Sequence, residues 1–238
     1  MRLRTCIAIA LLCVTLDGLA ATFGLTPMRV ALSAASPTGI VTVNNSGDAP
    51  LTVQVQPLAW SQPGGKDLYE ETRAFIVSPP IFTVPPGGAQ IVRVALRGPP
   101  APAVEQSYRL VFREVPAAEE ASTDRALFHI ALNMDIPMFV APAQGAATAN
   151  AEFGFDAGMG GPPRLRIGNK GNGNLRLADL AILQGQDKLA GEDVFVVLPG
   201  ATRYVPLAAG AFRPGLPLRV EAQSNAGRID VAVPVATP

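Results

Sequence analysis

The sequence predicts an all-β protein, and three observations support this class. Almost no segment repeats its apolar residues with the 3.6-residue period of a helix, whereas several short runs alternate between apolar and polar positions as strands do. The 238-residue chain contains 23 prolines and 23 glycines, which separate these runs at a spacing typical of β-sandwiches. The longest run, Ala126–Val140, keeps its alternation along its whole length.

The N-terminus has the features of a secretory signal peptide that ends at Ala20 (residues 1–20). Arg2 and Arg4 precede an apolar core over Ile7–Leu16, and small residues stand at the −3 and −1 positions of the cleavage site. Cleavage one residue later is the alternative. A membrane span needs about 20 apolar residues, so an uncleaved anchor is disfavoured. The sequence predicts an exported protein whose mature chain has no membrane span.

Charge and cysteine content restrict the function further. Both cysteines, Cys6 and Cys13, lie in the signal peptide, so the mature chain depends on packing and not on disulfides. Without Arg2, Arg4 and Asp17, the 19 basic and 19 acidic residues become 17 and 18, a formal charge of −1. Such a balanced chain has no bulk attraction for nucleic acid or for membrane surfaces.

The first half of the mature chain contains enough strands for one sandwich. The candidates are Leu25–Leu32, Gly39–Asn44, Leu51–Trp60, Phe75–Ser78, Ile81–Val84, Ala89–Leu96, Ser107–Val115 and Ala126–Val140. An immunoglobulin-like sandwich uses about seven strands. We therefore predict an immunoglobulin-like N-terminal domain over residues 21–142.

The Ala126–Val140 run, hereafter the long strand, has one apolar face. That face carries Phe128, Ile130, Leu132, Met134, Ile136, Met138 and Val140. Pro137 lies within the strand and has no N–H to donate, so the strand should be a sheet edge or should leave its sheet early. Because an exposed apolar edge recruits other chains, this strand is expected to bind another polypeptide.

The segment Ala141–Asn150 separates the first domain from a second one, predicted over residues 143–238. Its strands are expected near Val194–Leu198, Thr202–Leu207, Leu218–Ala222 and Arg228–Val235.

An internal echo indicates that the two domains are alike. The motif Asn-x-Gly, with a leucine six residues after the asparagine, occurs at Asn45 and again 124 residues later at Asn169. Each copy is followed by an alternating run, so the same strand–turn–strand corner is expected in both domains. The alternative is a chance match, since such turns are common in β proteins.

The sequence offers no enzyme site. His129 is the only histidine, and the mature chain has no cysteine, so the usual metal ligands are missing. A serine hydrolase needs a base for its serine, and no G-x-S-x-G motif is present. The glycine pairs lack the patterns of nucleotide-binding loops. We predict a protein that is not an enzyme and that holds no metal or cofactor.

Three arginines interrupt apolar strands: Arg29, Arg93 and Arg109. One explanation is that each faces water or forms an internal ion pair. The other is that two of them converge between the domains as a fork for a carboxylate, which guanidinium groups bind in a bidentate manner.

Several motifs together resemble the PapD-like periplasmic pilus chaperones of the chaperone–usher pathway. They are LTPMRVAL at Leu25–Leu32, Asn44–Gly47, Ser78–Pro80, Val84–Gly87, Tyr108–Leu110, Arg113–Pro116 and Ile130–Pro142. Their order and spacing extend over the mature chain, most clearly in the first domain.

The resemblance implies two immunoglobulin-like domains set at an angle, like a boomerang, with a pilin subunit held along the first domain. In such chaperones the long strand donates alternate apolar side chains to a subunit that lacks its own last strand, and the complex is delivered to an outer-membrane usher. By position, the donors are Phe128, Ile130, Leu132 and Met134. The free protein could also cap this edge by forming a dimer.

The resemblance also implies an anchor for the C-terminal carboxylate of the subunit. Arg29 matches the arginine that the better-known branch uses, but Pro137 stands where that branch has a lysine. The motifs I-P-M-F-V and Y-R-L are similar to those of the archaic branch, whose chaperones serve spore-coat-U-like pilins. We expect Arg109 to supply the second anchoring cation there, and Arg93 to form an internal ion pair.

The sequence leaves two alternatives to an assembly chaperone. The first is a secreted immunoglobulin-like structural protein, such as an adhesin or a pilus subunit. A subunit should be one incomplete domain with an N-terminal donor extension, whereas here the apolar strand is internal and a second domain follows it. The second alternative, an enzyme or metal carrier, is the less favoured.

Overall fold

The computed structural model describes residues 23–98, 102–116, 131–158, 161–208 and 210–235. In these ranges the chain forms seventeen strands and one short 3-10 turn, with no α-helix, which confirms the all-β class. None of the described segments is a helix long and apolar enough to cross a membrane. The predicted signal peptide lies outside the described residues, and the domain boundary after residue 142 stays a prediction.

The strands are numbered in chain order. The first ten are β1 (Phe23–Thr26), β2 (Val30–Leu32), β3 (Thr38–Asn45), β4 (Leu51–Ser61), β5 (Leu68–Glu71), β6 (Phe75–Ser78), β7 (Ile81–Val84), β8 (Ala89–Leu96), β9 (Gln106–Glu114) and β10 (Asn133–Val140). The other seven are β11 (Ala151–Asp156), β12 (Arg164–Asn169), β13 (Leu175–Gln184), β14 (Asp187–Val197), β15 (Thr202–Pro206), β16 (Leu218–Ser224) and β17 (Gly227–Val233). The 3-10 turn, Pro63–Gly65, connects β4 to β5.

The first ten strands form a sandwich of two sheets. The smaller sheet has the order β1-β3-β8-β6, and the larger has the order β2-β10-β9-β4-β5, with β7 paired to the start of β4. Alternate residues of both sheets point inward, as in β-sandwiches generally. Val41, Val53, Val92 and Leu110 are among the fully buried residues of this core.

The last seven strands form a second sandwich with its own core. Its sheets have the orders β11-β12-β15 and β14-β13-β16-β17. Its buried residues, which include Leu165, Ile182 and Val220, form a cluster separate from that of the first sandwich. Each half of the chain thus buries its own apolar face.

The predicted first strand, Leu25–Leu32, is in fact two strands in different sheets. β1 pairs with β3 in the smaller sheet, whereas β2 pairs with β10 in the larger. The chain crosses between them at Pro27, which has no N–H for a ladder bond. The prediction also missed β5, whose four residues are all exposed, and β11, whose six are all half-buried. In neither strand do buried and exposed residues alternate.

The long strand is shorter in the structure than predicted. β10 begins at Asn133, and the two described residues before it are not in a strand. Phe128, His129 and Ile130 lie outside the described residues. Ile136, Met138 and Val140 are fully buried, so this half of the apolar face belongs to the core of the first sandwich. Leu132 and Met134 are partly buried at the edge of the same core.

The internal echo is confirmed as a repeated corner. The Asn45 side chain accepts the N–H of Gly47 and donates to Val84, while the Asn169 side chain accepts the N–H of Gly171 and donates to Val197. The asparagines are 2% and 1% exposed. Since these contacts correspond one to one, the match does not arise by chance.

Candidate functional site

The candidate site lies on the outer face of the larger sheet, the face turned away from the core. Residues paired across antiparallel strands share a face. Leu58, Arg109 and Pro137 form one such row across β4, β9 and β10. Gln56, Val111 and Asp135 form the next row. Every second residue of these strands therefore contributes to this outer face.

Arg109 is held on this face by an ion pair and by an aromatic ring. Its Nη1 atom lies 3.1 Å from the Oδ2 atom of Asp135. Its guanidinium carbon lies 4.1 Å from the centroid of the Trp60 ring and 6.0 Å from that of Tyr69. Guanidinium groups are attracted to the faces of aromatic rings at such distances. The Nε atom of Arg109 is buried without a hydrogen-bond partner among the described residues.

Arg29 lies just before β2, on the other side of β10. Its guanidinium carbon is 4.6 Å from the centroid of the Phe139 ring, and its side chain is exposed. Within the described parts of the chain, no carboxylate forms an ion pair with it. The charged group of Arg29 is therefore exposed to solvent and lies against the Phe139 ring.

The two arginines approach β10 at about the same level from opposite sides. Val30, the residue after Arg29, pairs with Met138, and Arg109 pairs with Pro137. Neighbouring strands lie about 4.8 Å apart, so the backbones that carry the two arginines are separated by about 10 Å. Their side chains meet the same aromatic surface.

That surface is an aromatic cluster of Trp60, Tyr69 and Phe139. The Trp60 ring centroid lies 6.2 Å from that of Tyr69 and 6.2 Å from that of Phe139. Leu198 of the second sandwich packs against Trp60 and Phe139, all three being at most 5% exposed. Arg29 and Arg109 therefore each contact one ring of a cluster that lies at the junction between the sandwiches.

A pocket of about 280 Å³ opens beside Arg109. Its lining includes Leu58, Tyr69, Val111 and Arg113 together with the Arg109–Asp135 pair. Arg113 donates to the Gln56 side chain at 2.6 Å. Burial raises the pKa of the Tyr69 phenol, against the opposing influence of Arg109, so this phenol stays neutral at physiological pH. The pocket combines apolar walls with two guanidinium groups, a lining suited to an anionic group at the end of an apolar chain.

One side of β10 is open over part of its length. β9 pairs with all of Asn133–Val140, but β2 pairs only with Met138–Val140. Among the described residues nothing pairs with the other side of Asn133–Pro137. Pro137 stands where the open edge meets β2, which agrees with the prediction of an edge from its missing N–H.

The prediction for Arg93 was wrong. Arg93 lies between the fully buried Val92 and Val94, so strand alternation points it outward on the smaller sheet. Its side chain is exposed and forms no ion pair with any described residue. Arg93 is therefore a strand arginine that lies on the smaller sheet and not at the candidate site.

Sequence reasoning missed Trp60, Phe139 and Asp135 as parts of the site. Trp60 is the only tryptophan of the chain, and Phe139 is a large aromatic residue on the face of the long strand that also carries Asn133 and Asp135. A large aromatic residue at each of these positions was a signal of a buried contact on the outer face of the larger sheet. The described residues contain no group of three or more histidine, cysteine, aspartate or glutamate residues that could hold a metal ion.

Comparison with known proteins gives one family match. A model described as pili and flagellar-assembly chaperone, PapD N-terminal domain, matches residues 22–146. None of the curated proteins compared with this chain matches it.

Solved structures match over nearly the whole chain. One chain of the CsuC–CsuE chaperone–tip adhesion subunit pre-assembly complex, from archaic chaperone–usher Csu pili of Acinetobacter baumannii, is 20% identical, with a TM-score of 0.70; the match covers 90% of this chain and 98% of that chain. A chain of the Salmonella enterica SafA pilin–SafB chaperone complex is 17% identical, with a TM-score of 0.64 and coverages of 88% and 95%. The YadV chaperone is 15% identical, with a TM-score of 0.63 and coverages of 90% and 100%. These similarities confirm the predicted pair of immunoglobulin-like sandwiches.

Proposed function

The chain belongs to the pili and flagellar-assembly chaperone family, and from this membership we propose that it binds pilin subunits by donor-strand complementation and delivers them to an outer-membrane usher. Members of this family are folding chaperones and not enzymes, so the chain is a chaperone without catalytic activity. This also favours a chaperone over a secreted adhesin or a pilus subunit. Pilus chaperones of this family are periplasmic, and the predicted signal peptide would place this protein there.

The half-open edge of β10 is the observation that carries the proposal. An added strand can form backbone hydrogen bonds along Asn133–Pro137, on the side where no described residue pairs. Strand addition of this kind gives affinity through the backbone and specificity through alternate side-chain pockets. A pilin that lacks its last strand is the partner whose chemistry fits such an edge.

The proposed donors are Phe128, Ile130, Leu132 and Met134. Of these, Leu132 and Met134 are described, and both lie partly buried at the edge of the core, next to the open part of β10. Burial of one large apolar side chain stabilises by roughly 1.5–3 kcal/mol. Four donors can therefore stabilise a subunit domain that cannot close alone, although the ordering of both partners offsets part of this gain.

Arg29 and Arg109 are proposed to bind the C-terminal carboxylate of the subunit. Pro137 occupies the position where the better-known branch has a lysine, and Arg109 is its direct partner on β9. A cation from the neighbouring strand at the same level can take the role of the missing one. A carboxylate between two guanidinium groups forms charge-assisted hydrogen bonds, which are stronger than neutral ones. Arg109 as the second anchor fits the archaic branch, with spore-coat-U-like pilins as the proposed cargo.

Amide hydrogen exchange on the chaperone, alone and in complex with a co-expressed candidate pilin, tests strand addition. The expected result is slowed exchange of amides on the open side of Asn133–Ile136 in the complex, while β8 in the other sheet remains unchanged. Equal exchange at Asn133–Ile136 in the two states would contradict donor-strand complementation. The same samples reveal whether the free protein forms a dimer that protects this edge, as self-capping would require.

A further inference from the structure

The segment between β4 and β5, residues 62–67, docks against the second sandwich and is here called the docking loop. Gly65 of this loop has a φ of 80°, and a Cβ atom at this position would lie 2.6 Å from the Thr202 carbonyl oxygen. Only glycine permits both this backbone conformation and this close approach. The loop is therefore shaped to lie against the backbone of β15.

Gln62 uses its whole amide group to join the two sandwiches. Its Nε2 atom donates to the Val196 carbonyl oxygen at 2.9 Å, and its Oε1 atom accepts the N–H of Leu198 at 2.9 Å. The second hydrogen of the same nitrogen is donated to the Asp67 Oδ1 atom at 2.8 Å. One side chain thus binds the backbone of the second sandwich on one side and Asp67 on the other.

Asp67 transmits this attachment to Trp60. Its Oδ1 atom also accepts the indole Nε1–H of Trp60 at 2.7 Å. A hydrogen bond to an ionised carboxylate is roughly twice as strong as a neutral one, so it fixes the indole firmly. Without this hydrogen bond, packing alone would hold the indole ring.

The indole in turn supports Arg109. The guanidinium carbon lies 4.1 Å from the Trp60 ring centroid, and the buried Nε atom has no hydrogen-bond partner among the described residues. The ring therefore sets the position of this side chain together with the Asp135 carboxylate and the Tyr69 side chain, which also contact the guanidinium. A tilt of the ring would move the guanidinium.

We propose that Gln62 and Asp67 are positioning residues which link the docking of the second sandwich to the placement of Arg109. This inference rests on the proposed function, in which Arg109 anchors the subunit carboxylate. It assigns a role to the second sandwich: the anchor takes its binding geometry only while Val196 and Leu198 hold Gln62. The relay runs from the second sandwich through Gln62, Asp67 and Trp60 to Arg109.

Trp60 fluorescence tests the relay directly, because it is the only tryptophan of the chain. The emission spectrum and acrylamide quenching of the full-length protein would be compared with those of Gln62→Ala, Arg109→Ala and the double variant. Gln90→Ala is the matched control, since Gln90 lies on β8 of the other sheet, where its amide donates to the neighbouring Ile91 carbonyl oxygen. Retention of a co-expressed candidate pilin would be measured for the same proteins.

The relay predicts that Arg109→Ala changes the Trp60 emission less in the Gln62→Ala background than in the wild type. The Gln90→Ala background should not show this non-additivity. Gln62→Ala removes three hydrogen bonds, two of them to the second sandwich, and should weaken pilin retention about tenfold. Asp67→Asn keeps an acceptor for the indole, so it should resemble the wild type more closely than Asp67→Ala does.

Additive emission changes in both backgrounds would overturn the relay. Non-additive emission with unchanged pilin retention would support the relay and contradict the anchoring role of Arg109 in the proposed function. The two failures are therefore distinguishable.

Discussion

Arg109 forms an ion pair with Asp135, whose carboxylate occupies one side of the guanidinium that is proposed to receive the subunit carboxylate. Asp135 is half exposed, so an incoming carboxylate can reach the pair from solvent. The internal carboxylate and the subunit carboxylate would then compete for the same cation.

Asp135→Asn is expected to tighten subunit binding because it removes this competitor. Partly exposed ion pairs contribute about 0.2–1 kcal/mol, which corresponds to an increase in affinity of up to about fivefold. The measurement is competition between wild-type and variant chaperones for a limited amount of pilin in the same periplasm. Asp48→Asn makes the same charge change at an exposed turn position and should have no effect. Weaker binding by Asp135→Asn would instead mean that Asp135 serves only to hold Arg109 in place.

The donor role of the long strand predicts that the same charge weakens pilin binding at one residue and has no effect at its neighbour. Leu132→Asp places a charge on the apolar face, whereas Asn133→Asp places the same charge on the exposed face. Loss of one donor at about 1.5–3 kcal/mol should reduce pilin affinity by roughly 10- to 100-fold for Leu132→Asp alone. Thermal unfolding of both free proteins controls for folding. Equal pilin retention by the two variants would argue against donation from this face.

The repeated corner predicts two separate stability effects. Asn45→Ala and Asn169→Ala each leave buried backbone groups without partners, at a cost of about 2–4 kcal/mol. In urea unfolding, Asn45→Ala should shift the transition of the first sandwich and Asn169→Ala that of the second. A single transition that both variants shift equally would show that the sandwiches unfold together.

The second sandwich should lose stability in acid. A hydrogen bond from Arg219 holds the pKa of Asp230 below its usual range, and bonds from Arg166 do the same for Glu152. A carboxyl group with a lowered folded-state pKa contributes stability above its unfolded pKa, near 4, and loses it as the pH falls through the folded value. The thermal midpoint should therefore decrease below about pH 4, and Asp230→Asn should reduce this dependence. An unchanged pH profile for Asp230→Asn would contradict a stabilising role for the pair.

Much of the fold could be predicted because its signals are local. The limits of Phe75–Ser78, Ile81–Val84 and Ala89–Leu96 were predicted correctly, since proline or glycine bounds each run on at least one side. The echo at Asn45 and Asn169 was visible for the same reason: one side chain organises its own corner. The missed β5 is a short strand with no fully buried residue, and nothing in such a segment marks an apolar face.

The site could be predicted only in part, because its contacts depend on register between distant strands. The sequence identified Arg29 and Arg109 as unusual strand residues, but not the Trp60 ring beneath Arg109, which β4 supplies. For Arg93, the neighbouring valines indicate an outward side chain, whereas the expected ion pair required a partner whose position no local pattern gives. Contacts between the sandwiches, such as those of Gln62, have no local signature at all.

Native mass spectrometry of the protein purified from periplasm after co-expression with its candidate pilin tests the central claim most directly. Three proteins would be compared: the wild type, Arg29→Ala at the candidate site, and Arg93→Ala as an exposed strand arginine on the other sheet. The account predicts a one-to-one complex for the wild type and Arg93→Ala, and its loss for a folded Arg29→Ala. A one-to-one complex that Arg29→Ala retains at the wild-type level would contradict the carboxylate anchor, and a wild-type protein that never carries pilin would contradict the proposed chaperone function.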